Sequence, residues 1–176
     1  MSDEPSRSGA GGAQRWADYL DWMRAEMARG VLALSYDDQR TSRVPSGWTP
    51  LELLHHVLHM EQRWFVWGFL AEPVADPWGD WAMPEPFTSD ASDDTEPGAR
   101  WAVPSDVTAE ELAARLEAVA VRTRGVLRDH PLDATASTGG RFDDDPPTLE
   151  WICFHVLAEY ARHAGHLDIV AEQARD

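Results

Sequence analysis

Apolar residues recur at intervals of three and four over four long stretches of this chain, the signature of amphipathic helices. The first stretch runs from about Gln14 to Leu34, where Trp16, Leu20, Met23, Met27 and Val31 share a face. A polar connection, Ser35 to Gly47, follows. Thr49-Pro50 marks the next start, because threonine caps a helix and proline suits the first turn, where its missing N–H costs nothing. This second helix is predicted to reach about Leu70, with Leu53, Val57, Met60, Trp64 and Trp67 on its apolar face. A third begins at Ser105 or Thr108, carries Glu110 and Glu111 in its first turn, and ends near Asp129. A fourth runs from Thr148 to about Ala174. No convincing strand pattern and no repeat interrupts the series. Four helices of this length predict an all-α fold, a four-helix bundle with one long crossover between the second and third helices.

The crossover, Ala71 to Pro104, is rich in proline and contains an acidic run from Asp90 to Glu96. It also holds Trp78, Trp81, Phe87 and Trp101, and loops this long are usually functional or disordered. The aromatics argue for a packed lid, with Trp78, Trp81 or Trp101 walling a pocket. A second loop, Pro131 to Pro147, includes Gly139-Gly140 and three consecutive aspartates from Asp143.

Composition narrows the function. The chain has 176 residues, 43% of them hydrophobic, enough for one domain with a real core. Residues 1–13, polar and rich in Ser, Gly and Ala, are expected to be a disordered leader, and residues 14–176 a single domain. That leader lacks the basic start and apolar centre of a signal peptide, so a cytoplasmic location is expected. Thirty-one acids against 15 bases leave a net charge of −16. So acidic a domain is a poor partner for nucleic acid or for an anionic membrane. The bases are all arginine, which fits a GC-rich bacterial origin. A single cysteine, Cys153, excludes an internal disulfide and a cysteine-based zinc cluster, and reads as a buried core thiol.

The chemistry concentrates on the fourth helix. His155, Glu159, His163 and His166 follow one another at spacings of four, four and three, which stacks them on one helical face. Ile152, Val156, Leu167 and Val170 share that face, so it points into the core. A carboxylate and imidazoles there need partners, and a divalent ion is one solution. The second helix offers His55, His56 and His59. Periodicity puts His56 at the edge of the apolar face and the His55/His59 pair near the opposite side, where solvent is expected. His56, Glu159 and His163 together make a two-imidazole, one-carboxylate set with positions left open for water or substrate. Such donors suit zinc, nickel, iron or manganese. Ferritin-like chemistry is disfavoured, since it needs Glu-x-x-His twice and the spacing here is Glu-x-x-x-His, once. His155 and His166 are candidates for orienting a ligand or serving as general base, although each could be a satisfied core histidine. Arg162, near the edge of the same face, could receive a substrate anion or form a surface ion pair. Trp48, Trp64 and Trp67 read more readily as core than as a substrate platform.

Two segments carry a resemblance. Gly47-Trp48-Thr49-Pro50 followed by His56-Val57-Leu58-His59-Met60-Glu61-Gln62-Arg63-Trp64-Phe65 resembles the second helix of the DinB/YfiT-like metalloenzymes, in particular actinobacterial DinB-like domains of unknown function. Glu159-Tyr160-Ala161-Arg162-His163-Ala164-Gly165-His166-Leu167-Asp168 resembles their last helix. The resemblance implies a four-helix bundle, a variant of up-and-down topology, with one divalent metal held by three side chains. The family's first ligand falls on His56, and its second pair takes the Glu-x-x-x-His form of the mycothiol-dependent isomerases, matching Glu159 and His163. His166 stands where many members have glutamine. Characterised relatives, including mycothiol-dependent maleylpyruvate isomerase, use a low-molecular-weight thiol. The expectation is therefore transfer or isomerisation with a mycothiol-type co-substrate and zinc, with a homodimer allowed. A metal-dependent hydrolase and a non-catalytic metal-binding stress-response module are the alternatives.

Overall fold

Three of the long helices begin at a threonine that caps them. The computed structural model describes residues 4–82 and 100–175. Its helices are α1 (Ala13–Leu32), a short α2 (Tyr36–Arg40), α3 (Pro50–Gln62), α4 (Ala109–Asp129) and α5 (Leu149–Gln173). The Thr49 hydroxyl accepts from Glu52 N at 3.2 Å, while the Glu52 carboxylate accepts from Thr49 N at 2.8 Å. Thr108 and Glu111 repeat this reciprocal box at α4, and Thr148 accepts from Trp151 N at 3.3 Å at α5. Each box satisfies backbone donors that a helix start leaves open.

The second predicted helix is α3 continued by a π-helical turn over Arg63–Phe69. Its hydrogen bonds widen to five residues, as from Leu70 N to Phe65 O at 3.2 Å. Beyond it Ala71 adopts a left-handed conformation at φ 53°. The carbonyls this end cannot satisfy internally are taken by the loop before α5. Ser137 N donates to Phe69 O at 2.9 Å and Arg141 N to Trp67 O at 3.2 Å. Gly140 fits against this end only because it has no side chain. A Cβ there would lie 2.2 Å from Trp67 O.

The long helices pack as a four-helix bundle. α1 lies against α4 and α5, and α3 against the same two, so α1 and α3 occupy one diagonal. The core is formed by inward residues of every helix, among them Leu20, Met27, Leu54, Val57, Phe65, Leu112, Leu116, Ile152 and Val156. One polar group sits at its centre. The fully buried Glu61 carboxylate accepts from Arg24 Nε and Nη2 at 2.7 Å each, from Tyr160 Oη at 2.6 Å, and from Thr123 Oγ1. Those four residues come from α3, α1, α5 and α4, so one fully hydrogen-bonded carboxylate joins all four helices.

The crossover contains a two-residue antiparallel ladder, β1 (Trp81–Ala82) and β2 (Arg100–Trp101), too short for periodicity to reveal. Phe87 and the acidic run Asp90 to Glu96 lie outside the described residues. No helix among the described residues is long and apolar enough to cross a membrane.

Candidate metal centre

His56, on α3, is held from the crossover. Its Nδ1–H donates to Asp80 Oδ2 at 2.8 Å, which fixes the tautomer and leaves Nε2 with a free lone pair. Asp80 is fully buried. It also accepts from Arg63 Nη1 at 2.5 Å and Nη2 at 3.1 Å, and Arg63 is anchored further by Pro77 O at 2.9 Å. Burial alone would raise the Asp80 carboxyl, but hydrogen bonds from His56 and Arg63 outweigh it and hold the group below the usual carboxylate range. Burial lowers the His56 pKa in spite of the Asp80 contact, so the ring is neutral near pH 7.

α5 supplies the other two donors. His163 Nε2 approaches Glu159 Oε2 at 3.3 Å without hydrogen-bond geometry. Contact with His163 holds the Glu159 carboxyl below its ordinary value against partial burial. Donor atoms of His56, Glu159 and His163 all lie within 4.8 Å of one another. Both nitrogens of the buried His163 ring lack a hydrogen-bond partner. A buried imidazole with neither nitrogen satisfied costs free energy unless something accepts its lone pair or proton. The donor set therefore fits a divalent cation: two imidazoles, one anionic oxygen, and a buried carboxylate behind the first histidine.

Crossover aromatics roof the cluster. Trp81 and Trp101 face each other across the ladder. The Trp101 indole stacks on His56 at 4.1 Å between centroids and meets His163 edge-on at 5.3 Å, while Trp81 lies 6.1 Å from His56. The indole N–H groups of Trp81 and Trp101 are buried without acceptors. Trp78 sits farther out, over Arg63 at 4.5 Å. The crossover therefore returns along α3 to the cluster, as a lid requires.

Other candidates fall in different surroundings. The structure corrects the solvent-facing placement of His55 and His59, which are 2% and 5% exposed. His55 Nδ1–H donates to Ala102 O at 2.8 Å, so its Nε2 is an acceptor, and His59 Nε2–H donates to it at 3.1 Å. This relay tethers β2 to α3. Periodicity assigns a helix one buried face, but α3 is covered on one side by the bundle and on the other by the crossover. His166 is exposed, not inward, with its ring 5.8 Å from that of His163 and 6.2 Å from Trp48. His155, half-buried, packs between Trp64 and Trp151 at 4.1 and 5.3 Å. Neither ring hydrogen-bonds a member of the cluster. Arg162 is mostly exposed and donates to Glu159 Oε1 at 3.2 Å. Sequence reasoning missed Asp80, whose only signal is an acid set between Trp78-Gly79 and Trp81, where a carboxylate needs a partner.

Residues 16–176 match the family model described as mycothiol-S-transferase. The chain belongs to that family, within the DinB-like superfamily. No curated protein and no solved structure matches it. Membership in the mycothiol-S-transferase family points to a mycothiol-related enzyme and agrees with the all-α bundle.

Proposed function

We propose that this chain is a metal-dependent transferase that joins a low-molecular-weight thiol of the mycothiol type to an electrophile. His56, Glu159 and His163 would hold one divalent ion, with zinc the best match to two imidazoles and a carboxylate. The observation that carries this reading is the convergence of three donors within 4.8 Å around a His163 ring whose two nitrogens are buried and unsatisfied. Bound there, a divalent ion would supply the charge that favours thiolate over thiol at neutral pH.

The chain's own residues have separable tasks. Asp80, backed by Arg63, keeps the His56 proton on Nδ1 and its lone pair directed at the cluster. Trp101 and Trp81 exclude water from the His56 side of the cluster and offer two N–H donors to acceptors on the bound thiol or electrophile. Burial, with His163 and Arg162 nearby, lowers the pKa of His166, so this exposed ring is neutral near pH 7 and can accept the thiol proton. Cys153 is no rival nucleophile, because burial pushes its thiol up to about 12.

The test is a conjugation screen with zinc-loaded protein, mycothiol and a panel of electrophiles, run beside elemental analysis of untagged protein. Thiol-dependent turnover, with about one metal per chain, is expected. Stoichiometric metal without turnover would instead assign the chain to non-catalytic metal binding.

A further inference from the structure

Among the described residues, Arg141 is a cation without an anion. Its guanidinium carbon lies 4.4 Å above the Trp64 ring and 5.4 Å from the Trp78 ring. It makes no ion pair and no side-chain hydrogen bond with any described residue, in a chain where acids outnumber bases 31 to 15. The charged group that acts on it is another cation, Arg63, whose own charge is taken up by Asp80. Burial, with Arg63 second, lowers the Arg141 pKa to about 10, which leaves it protonated at neutral pH. Its backbone is fixed by the bond from Arg141 N to Trp67 O and by the close seat of Gly140. The charge is thus held in place, largely removed from water, and met among the described residues by indole rings instead of a carboxylate.

The surroundings lead to the cluster. His155 lies 4.1 Å from Trp64 and stacks on the half-exposed Trp151, their planes 12° apart. His155 precedes Glu159 by one helical turn, a rise of roughly 6 Å. Trp64 is tilted by 50° to His155 and by 53° to Trp151, so the three rings form a packed aromatic wall in which Trp151 stays half-exposed. A guanidinium seated over an indole keeps its N–H edge free, and that edge matches the two oxygens of a carboxylate.

We propose that Arg141 and the aromatic wall of Trp64, Trp151 and His155 form a subsite for an aromatic carboxylate, the electrophilic partner of the transfer. The aromatic body packs against the half-exposed Trp151 and the carboxylate pairs with Arg141. In the transfer, a sulfur–carbon bond forms, the carbon–leaving-group bond breaks, the leaving group departs with the electron pair, and the thiol proton passes to a base. The role rests on the transferase reading, but the binding site does not.

Benzoate and benzamide test the site directly, through the indole 1H–15N resonances of the zinc-loaded protein. Benzoate should shift the Trp64 resonance saturably, and benzamide should bind at least tenfold more weakly. Arg141→Gln should lose at least tenfold in benzoate affinity, and Arg141→Lys should recover part of it. Equal binding of the acid and the amide, or an unchanged affinity in Arg141→Gln, would overturn the proposal. Inorganic phosphate binding as tightly as benzoate would also overturn it, by assigning the site to small hydrated anions. Conjugation of mycothiol with 4-(chloromethyl)benzoate against its amide separates the two readings. Arg141→Gln should lower the preference for the acid at least tenfold. If neither electrophile reacts while benzoate binding still depends on Arg141, the transferase reading fails and the subsite stands. If both react alike and benzoate binding ignores Arg141, the subsite fails and the transferase stands.

Discussion

His163 is buried with two unsatisfied nitrogens, so its truncation removes a ligand without stranding a hydrogen-bond partner. His163→Ala should abolish stoichiometric metal binding and leave helicity intact, as checked by metal analysis and circular dichroism on the same sample. Joint loss of helicity and metal would make the ion structural. Asp80→Asn probes the layer behind. It removes the carboxylate that accepts from His56 and that carries the Arg63 pair. Metal affinity should fall about 10–100-fold by competition with a chelator, with His56 itself untouched. Trp101→Phe keeps an aromatic face on His56 and deletes one buried N–H. The expected result is retained metal with KM for the thiol or electrophile raised several-fold; an unchanged KM would remove the indole from substrate contact.

At the scale of elements, the bundle is held at two places that caps alone do not provide. One is the Glu61 carboxylate shared by Arg24, Thr123 and Tyr160. Glu61→Ala leaves the buried Arg24 charge with only the partly exposed Asp21 as partner and should cost about 3 kcal/mol in denaturant unfolding, the low end for a broken buried pair. Arg24→Met combined with Glu61→Leu should cost much less, because no lone charge remains. The other is the junction between the π-helical end of α3 and the loop before α5. Gly140→Ala drives a methyl carbon against the Trp67 carbonyl and should lower the thermal midpoint by several degrees, about 1–3 kcal/mol. The same loop positions Arg141, so this variant should also weaken benzoate binding.

For the whole molecule, acid should weaken the fold through buried neutral histidine. Burial lowers the His59 pKa to about 4, against an ordinary 6.5. The unfolded chain therefore binds a proton that the folded chain refuses. This contribution is complete above about pH 6.5, falls as the pH drops through that value, and is gone below about 4. Denaturant midpoints measured between pH 7 and 4 should decline across that window, and His59→Gln should flatten the decline. Added zinc should raise the midpoint at pH 7 and do so less as the pH falls, since protons compete for imidazole donors.

What the sequence determined by itself was what repeats locally. Apolar spacing and the threonine starts give the four long helices to within a few residues of their bounds, because helix geometry and capping depend on neighbours three and four positions away. The same spacing turns His56, Glu159 and His163 inward, and the family resemblance names the same three positions. Tertiary structure decided whatever depends on the path of irregular chain. Asp80, Trp81 and Trp101 reach His56 only because the crossover doubles back and closes a two-residue ladder. That return also buries His55 and His59, which a helical wheel, knowing one buried face, leaves in solvent. Arg141 likewise gains its setting from a loop docked on the carbonyls of Trp67 and Phe69. Periodicity is a property of a segment, whereas these contacts join positions 20 to 80 residues apart, and their energies exist only once the bundle has brought them together.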